Sequence, residues 1–215
     1  MSERHLVWDW NGTLLDDLAV VVQATNTTFA HVGGPAITAD EHRRRFRRPI
    51  ADYYAEVLGR PVSPEEFEQL NKVFHDAYQA ALGACALAVD ARDALRRWAG
   101  TQSLLSMWYH QELVPTVDGF GLTGHFERID GLRHQPGGAV DHKGPYLSAH
   151  LETLGMDPAS VVLVGDSVDD AHAAEVAGAS CVLYSGGFTD GAALRATGAP
   201  VVGSLLEAVT LARTI

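Results

Sequence analysis

The chain has 215 residues, of which 47% are hydrophobic, and a formal net charge of −11. This excess of negative charge argues against nucleic acid and anionic membranes as general partners. The two cysteines, Cys85 and Cys181, cannot build a disulfide framework, and no apolar run reaches the roughly 18 residues of a membrane span. We therefore expect a soluble, cytoplasmic protein with a substantial core.

The first predicted strand, Leu6–Trp8, runs into Asp9 and then into a turn that contains Asn11. A strand end holds a carboxylate in a fixed place, which suits a nucleophile. The turn continues through Gly12 and Thr13, where free backbone N–H groups are expected to bind an anion. The alternative interpretation is an ordinary strand end followed by an Asn-Gly turn.

A long segment of predicted helices follows the first strand and has little strand character. Two capping-box patterns mark helix starts within it, Thr38 with Glu41 and Ser63 with Glu66. We call this segment the helical insertion, because it divides the rest of the chain into two parts. The expected division is a core of residues 1–17 and 87–215 and the helical insertion of residues 18–86.

From Asp90 to the C-terminus, predicted helices alternate with short predicted strands. One of these strands, Val161–Gly165, has no polar residue, as expected where both faces of a sheet are covered. This alternation predicts an α/β fold with a doubly wound, Rossmann-like parallel sheet. The predicted helices are 90–98, 110–118, 143–154, 169–177, 192–197 and 205–212, and the predicted strands are 103–106, 126–130, 161–165, 181–184 and 200–202.

A glycine pattern at residues 119–124, G-F-G-L-T-G, has the spacing of a dinucleotide-binding fingerprint. Such a fingerprint must follow a strand and open a helix. Here the pattern follows a predicted helix and precedes a predicted strand. We therefore interpret it as a loop without a nucleotide site.

Several polar residues stand where ligands of a parallel sheet bind, beyond the carboxyl ends of the strands. Asp9, Ser106 and Asp166 end predicted strands, and Lys143 opens a predicted helix. Asp170 follows four residues after Asp166. Crowded carboxylates without histidine or cysteine ligands favour Mg²⁺. Each residue alone has an ordinary explanation, such as a helix cap or a favourable first-turn charge. Their joint occurrence in this order favours a functional site.

These residues resemble the four signature motifs of the haloacid dehalogenase (HAD) superfamily. The motifs are D-W-N-G-T-L from Asp9, the strand residue Ser106, the helix residue Lys143, and G-D-S-V-D-D around Asp166. The helical insertion stands where the family carries a helical cap that governs substrate specificity. Two further phrases are similar to phosphoglycolate phosphatase-like members, at residues 121–126 and 170–178.

The resemblance implies a Mg²⁺-dependent phosphatase that works through an aspartyl-phosphate. Asp9 would be the nucleophile, and Asp9, the backbone carbonyl of Asn11 and Asp166 would bind Mg²⁺. Asp170 would support both the metal site and Lys143. Phosphoryl transfer needs mainly in-line placement and charge neutralisation, which such a set of residues can provide.

The resemblance also implies how the substrate, a small phosphorylated metabolite, would be bound. Ser106 and Lys143 would contact the transferring phosphoryl oxygens. The dense basic run Arg43–Arg48 lies near the family's specificity loop, so Arg47 or Arg48 is expected to bind an anionic part of the substrate. The alternative for this run is a solvated helix face that pairs with acidic residues.

Asn11 departs from the phosphatase pattern, which usually has a second aspartate two residues after the nucleophile. That aspartate protonates the leaving group and then activates water. An amide can orient water but cannot transfer a proton at neutral pH, and general acid–base catalysis contributes roughly 10²–10⁴ in rate. The alternative function is therefore a HAD-fold binding or regulatory protein with weak turnover.

Two other chemistries of the superfamily also lack the second aspartate. Dehalogenases use no Mg²⁺, so the acidic pair Asp166 and Asp170 disfavours them. Phosphonate hydrolases need a cap lysine that forms a Schiff base. Lys72 is the only lysine of the helical insertion and lies too far along the chain from the nucleophile to match that lysine.

Overall fold

The computed structural model describes residues 4–133 and 142–215. Its strands are β1 (His5–Trp8), β2 (Leu15–Asp16), β3 (Ala86–Leu87), β4 (Gln102–Tyr109), β5 (Ile129–Leu132), β6 (Val161–Gly165), β7 (Ser180–Tyr184) and β8 (Val201–Val202). Six of them form one sheet in the order β5-β4-β1-β6-β7-β8, and every neighbouring pair is parallel. The expected α/β fold with a parallel sheet is confirmed.

The helices of the described residues fall into an inserted group and a group that alternates with the strands. The inserted group is α1 (Leu18–His31), α2 (Ala39–Arg45), α3 (Ile50–Leu58) and α4 (Pro64–Ala81). The alternating group is α5 (Ala91–Arg97), α6 (His110–Gly119), α7 (Lys143–Leu154), α8 (Val168–Ala177), α9 (Gly191–Ala196) and α10 (Leu205–Ala212). At the two ends of the helical insertion, β2 pairs antiparallel with β3, Leu15 opposite Leu87.

Strand β1 lies in the middle of the sheet and contributes to two separate cores. Leu6 and Trp8 pack on one face with residues of α1, α5 and α10, whereas Val7 packs on the other face with residues of α7, α8 and α9. Successive side chains of a strand point to opposite faces, so a strand covered on both sides is apolar throughout. The same reason explains why all five residues of β6 are buried.

Strand β4 is longer than the sequence predicts, which changes the placement of Ser106. The expected strand ends at this serine, but the observed strand continues through Met107 and Trp108 to Tyr109. Large and aromatic residues favour extended backbone, which explains the extension. Ser106 lies two residues beyond Leu104, the last partner of β1, at a shift in the register with β5. The serine is therefore inside the strand rather than at its end.

The predicted helix starts differ in how their caps form. Thr38 and Glu41 make the expected reciprocal capping box at α2. Ser63 accepts from the backbone N–H of Glu66, but the carboxylate of Glu66 pairs with an arginine instead, so the second predicted box is wrong. The predicted side-chain cap of α5 by Asp90 does not form. Its carboxylate accepts from the backbone N–H of Leu206 in α10 instead.

Most other predicted bounds need small changes. Helices 143–154 and 205–212 are confirmed at both ends, and the predicted strand 126–130 begins later, at Ile129. The glycine pattern 119–124 lies between α6 and β5 and does not open a helix of the dinucleotide type. Within residues 4–133 and 142–215, no helix combines the length and apolarity that a membrane crossing requires.

Candidate active site

The ends of two neighbouring strands bring three carboxylates together. Asp9 follows β1 and Asp166 follows β6, and the backbone N–H of Asp9 donates to the carbonyl of Val164 at 2.9 Å. Asp170 reaches the same place from the first turn of α8. One oxygen from each of the three carboxylates lies within 4.8 Å of the others. We call Asp9, Asp166 and Asp170 the acidic cluster.

Lys143 supplies the positive charge at the acidic cluster. It is the first residue of α7 and only 2% exposed. Its Nζ lies 2.8 Å from Oδ1 of Asp9 and 2.6 Å from Oδ1 of Asp170. Burial disfavours the charged amine, but the carboxylates of Asp170 and Asp9 outweigh burial and raise its pKa well above the usual range. The sequence therefore predicts correctly that these residues converge.

The acidic cluster holds more negative charge than Lys143 can neutralise. Burial raises the pKa of Asp9 to about 6, although Lys143 acts in the opposite direction. Burial, and then the charges of Asp9 and Asp170, raise the pKa of Asp166 well above its usual range. A divalent cation would relieve this repulsion, and ligands that are all oxygen suit a hard cation such as Mg²⁺.

Side chains and backbone around the acidic cluster fix its carboxylates. Oδ1 of Asp166 accepts from the hydroxyl of Thr13 at 3.0 Å, and its Oδ2 accepts from the N–H of Phe188 at 2.6 Å. Asp170 accepts from the backbone and hydroxyl of Ser167 as part of a capping box on α8. A side chain at Gly12 would collide with the carboxylate of Asp166, and its φ of 72° also favours glycine.

The turn after Asp9 does not offer the free N–H groups that the sequence suggests at Gly12 and Thr13. The N–H of Gly12 donates to Oδ1 of Asp17 at 2.8 Å, and the N–H of Thr13 donates to the carbonyl of Trp10 at 3.2 Å. Both donors are used inside the turn because it closes on itself and on a buried carboxylate. A role for Gly12 and Thr13 in substrate binding stays a prediction, and these two donors do not support it.

The amide of Asn11 has partners for its oxygen and its nitrogen. Its Nδ2 donates to Oδ2 of Asp17 at 2.8 Å and to the hydroxyl of Tyr78 at 2.9 Å. Its Oδ1 accepts from the hydroxyl of Ser106 at 3.1 Å. The amide therefore connects the strand serine to a tyrosine of α4 in the helical insertion.

Asp17 and Tyr78 are site residues that the sequence analysis missed. The hydroxyl of Tyr78 donates to Oδ2 of Asp17 at 2.7 Å, so this carboxylate accepts from three groups. Burial raises the pKa of Asp17 to about 6, while its hydrogen bonds act in the opposite direction. Next to Asp16 at the start of α1, Asp17 has the sequence pattern of an ordinary helix cap, and no local signal connects it with Tyr78.

The basic run of the helical insertion separates into different environments. Arg48 lines the cavity over Asp9, is 19% exposed in its side chain, and places Nε 3.8 Å from Oδ2 of Asp169. Arg47 pairs with Glu56 at the surface instead. Arg43 donates to the backbone of the loop after β7, so it contacts the core rather than solvent alone. Of the two arginines predicted to bind substrate, Arg48 is the one that reaches the cavity.

A cavity lies between the helical insertion and the ends of the sheet strands, and we call it the chamber. Asp9, Asn11, Ser106 and Lys143 line its floor. Its walls are rich in aromatic side chains from both parts of the chain, among them Phe46, Tyr53, Phe74, Tyr78, Trp108 and Phe188. Lys72 is exposed, pairs with Asp76 at 2.6 Å, and does not line the chamber. No described lysine of the insertion is therefore placed for Schiff-base chemistry.

Comparisons with known proteins agree with this arrangement. Residues 142–208 match a family model described as HAD-hydrolase-like. The chain is 26% identical over 214 residues to a phosphoglycolate phosphatase from Chromobacterium violaceum, covering 91% of this chain and 92% of the relative. It is 27% identical over 202 residues to a phosphoglycolate phosphatase from Caulobacter vibrioides, covering 88% and 82%.

The fold has close counterparts among solved structures. A haloacid dehalogenase-like family hydrolase from Streptococcus pneumoniae superposes with a TM-score of 0.81 at 19% sequence identity, covering 98% of this chain and 99% of that chain. Likeness at this identity concerns the fold alone. The sequence matches, in turn, make the chain similar to HAD-like hydrolases and to phosphoglycolate phosphatases.

Proposed function

We propose that the protein is a Mg²⁺-dependent phosphatase that hydrolyses a small phosphate monoester through an aspartyl-phosphate. The observation that carries this proposal is the position of Asp9. Its carboxylate ends the central strand, faces the chamber, and is held 2.8 Å from the ammonium of Lys143. A fixed, partly exposed carboxylate beside a buried cation suits attack on an electron-poor phosphorus.

The residues around Asp9 suit a magnesium ion. Asp9, the backbone carbonyl of Asn11 and Asp166 would bind it, and Asp170 would support the site together with Lys143. The donor set contains only oxygen, and its three carboxylates face one ammonium. When bound, the cation would neutralise the charge of the phosphoryl oxygens and the carboxylates.

The chain's own residues would act in two steps. An oxygen of Asp9 would attack phosphorus, the ester P–O bond would break, and the leaving alkoxide would take up a proton. Water would then attack the phosphorus of the aspartyl-phosphate and release phosphate and the free carboxylate of Asp9. Lys143 and Ser106 would hold the phosphoryl oxygens in line with the attack.

The source of the proton is the unusual part of this proposal. Asn11 stands where an acid is needed, yet an amide cannot supply a proton at neutral pH. Both of its polar atoms are also already used, by Asp17 and Tyr78 on one side and by Ser106 on the other. We therefore expect slow turnover of esters whose leaving groups need protonation, and slow hydrolysis of the aspartyl-phosphate.

Asn11 also supports the second candidate function, a binding or regulatory protein with weak turnover. Such a protein would bind phosphate esters without hydrolysing them at a useful rate. The relatives named phosphoglycolate phosphatase make 2-phosphoglycolate a natural member of any substrate panel.

A panel of phosphate monoesters, assayed with Mg²⁺ and with excess EDTA, tests the proposal. We expect Mg²⁺-dependent release of phosphate, and a radiolabelled phosphoprotein after acid quench in the wild type that is absent in Asp9→Asn. Binding of esters without release of phosphate would support the second candidate function instead. Turnover that survives both EDTA and Asp9→Asn would contradict the proposed chemistry.

A further inference from the structure

The chamber has walls that a very small anionic substrate does not require. Phe46 meets Phe188 edge-on at a centroid distance of 5.6 Å, and Tyr78 meets Trp108 edge-on at 5.5 Å. Phe74 stacks on Tyr78 at 5.9 Å. These rings come from the helical insertion and from the core, and all line the chamber. Aromatic walls favour apolar, planar ligands, because ring pairs add specific contacts to apolar burial.

Three polar atoms of the chamber's wall residues are buried without a hydrogen-bond partner. They are Nε2 of His42, Nδ1 of His75 and Nε1 of Trp108. His42 is 1% exposed and Trp108 is 5% exposed, so water does not easily satisfy them. Buried polar atoms are nearly always paired in native proteins, and an unpaired one needs an explanation. Where such a nitrogen faces the chamber, a polar atom of a bound ligand would provide the missing partner.

Away from the proposed Mg²⁺ site, the charges that line the chamber do not favour a second anionic group on the substrate. Among described residues that line it, Asp9, Asp166, Asp169 and Asp170 are acidic, whereas Arg48 and Lys143 are cationic. Lys143 is already held by two carboxylates, and Arg48 is close to Asp169. Burial lowers the pKa of His42 and His75 to about 4, so both imidazoles are neutral at pH 7.

We infer that the chamber selects phosphate esters of an uncharged alcohol that carries a ring, in preference to esters of a carboxylate-bearing alcohol such as glycolate. The ring would lie between the aromatic walls, and polar atoms on it would pair with the free nitrogens of Trp108, His42 or His75. This inference rests on the proposed function for its biological meaning, but the selectivity itself can be measured by binding alone.

Three esters with the same CH₂–O–phosphate group separate the possibilities. Benzyl phosphate carries an uncharged ring, ethyl phosphate carries a methyl group, and 2-phosphoglycolate carries a carboxylate. Binding is measured by calorimetry on Asp9→Asn with Mg²⁺, since this variant cannot form the aspartyl-phosphate. We expect benzyl phosphate to bind about tenfold or more tightly than either of the others, because its ring buries several additional carbons.

Variants locate the effect in the chamber. In the same Asp9→Asn background, Trp108→Phe keeps a ring but removes Nε1–H. It should therefore reduce the preference for pyridylmethyl phosphate, whose ring has an acceptor, over benzyl phosphate. Trp98→Phe is the matched control, because Trp98 is a buried tryptophan that bonds to Thr101 and does not line the chamber. It should leave all ratios unchanged.

The outcomes separate this inference from the proposed function. Tighter binding of 2-phosphoglycolate, equal binding of all three esters, or no binding of any overturns the ring selectivity. Wild-type turnover of the same esters is measured separately. Turnover that favours 2-phosphoglycolate would overturn the inference and keep the phosphatase. Tight binding of benzyl phosphate without turnover of any ester would keep the inference and overturn the phosphatase.

Discussion

The floor and the walls of the chamber are built in different ways. The floor consists of Asp9, Asn11, Ser106 and Lys143, which lie in or next to core strands or open a core helix. The walls consist of rings from separate helices, loops and strand β4 that meet only in the folded chain. The residues proposed for the chemistry thus come from short motifs on the sheet, whereas the rings proposed to select the substrate meet through long-range packing. Variants can test the two parts separately.

The largest expected effect concerns the floor. Asp9→Ala should abolish phosphatase activity, by at least about 10³-fold, because no other described carboxylate stands at the end of the central strand. Circular dichroism and the thermal midpoint should show an intact fold. Wild-type protein in excess EDTA should be equally inactive and should recover with Mg²⁺. A folded Asp9→Ala protein that keeps its turnover would remove the assignment of the nucleophile.

Lys143→Met should affect both catalysis and stability. The two carboxylates that share its ammonium would lose this positive charge, a change that costs about 3–5 kcal/mol in the free energy of unfolding. We also expect kcat to fall by about 10² or more, since phosphoryl charge is no longer neutralised. Lys72→Met is the control, because that lysine makes an exposed pair of little energetic value. Equal behaviour of the two variants would contradict the role of Lys143.

The sequence alone predicts that Asn11→Asp raises turnover, and the structure adds a condition. A carboxylate at position 11 would stand about as close to Asp17 as the amide does now, at 2.8 Å, and two carboxylates at that distance cannot both ionise. The single variant should therefore gain little. Asn11→Asp combined with Asp17→Asn exchanges the two groups and should raise kcat for alkyl phosphates by up to about 10²–10⁴.

The comparison of good and poor leaving groups checks this exchange. With an activated aryl phosphate the first step needs no proton, so the double variant should gain less than with ethyl phosphate. Asp17→Asn alone provides the control for the loss of that carboxylate. If the double variant has no advantage over Asp17→Asn on either substrate, another group carries the proton.

Arg48→Ala tests the boundary between floor and walls. Whatever affinity the chamber has for the carboxylate of 2-phosphoglycolate should depend on Arg48, although Asp169 lies 3.8 Å from its Nε. We therefore expect KM for this ester to rise by about threefold to tenfold, with less effect on 4-nitrophenyl phosphate. Arg47→Ala is the natural comparison, since its side chain is 51% exposed and pairs with Glu56. Parallel losses on both substrates would indicate instead that the helical insertion is destabilised.

The smallest effect concerns a site far from the chamber. His5 is buried, bonds to Thr101 and Ser103, and has its pKa lowered to about 4 by burial and then by the charge of His150. The unfolded chain takes up this proton near pH 6.5, so stability from neutral His5 is complete above that pH and is lost as the pH falls toward 4. The free energy of unfolding of His5→Gln should therefore fall less steeply than that of the wild type as the pH is lowered from 6.5 to 4, as measured by urea titrations at several pH values. Identical slopes would contradict this.

The sequence predicts the sheet and the floor well because their signals are local. An apolar strand that ends in aspartate is visible at Asp9 and at Asp166, and the helix that begins at Lys143 is marked by a Gly/Pro-rich stretch before it and by Gly155 after it. The network of Asn11 is different, because Tyr78 contacts Asp17 across 61 residues of sequence. Neither residue has a pattern that distinguishes it from a helix cap or a core tyrosine. The free N–H expected at Gly12 is absent for the same reason, since it donates to that same carboxylate.

The short ribbon of β2 and β3 has a consequence for how such a protein can change over time. Because Leu15 lies opposite Leu87, the chain leaves the core and returns to it at nearly the same point. The core sheet is therefore connected at this point as it would be by a short hairpin. The entropy of closing the loop depends only weakly on the length of the insertion between β2 and β3. A helical insertion of another length or sequence could be joined at this ribbon without moving Asp9. New specificities could then arise by exchanging, as one unit, the wall residues that the insertion supplies above an unchanged reaction centre.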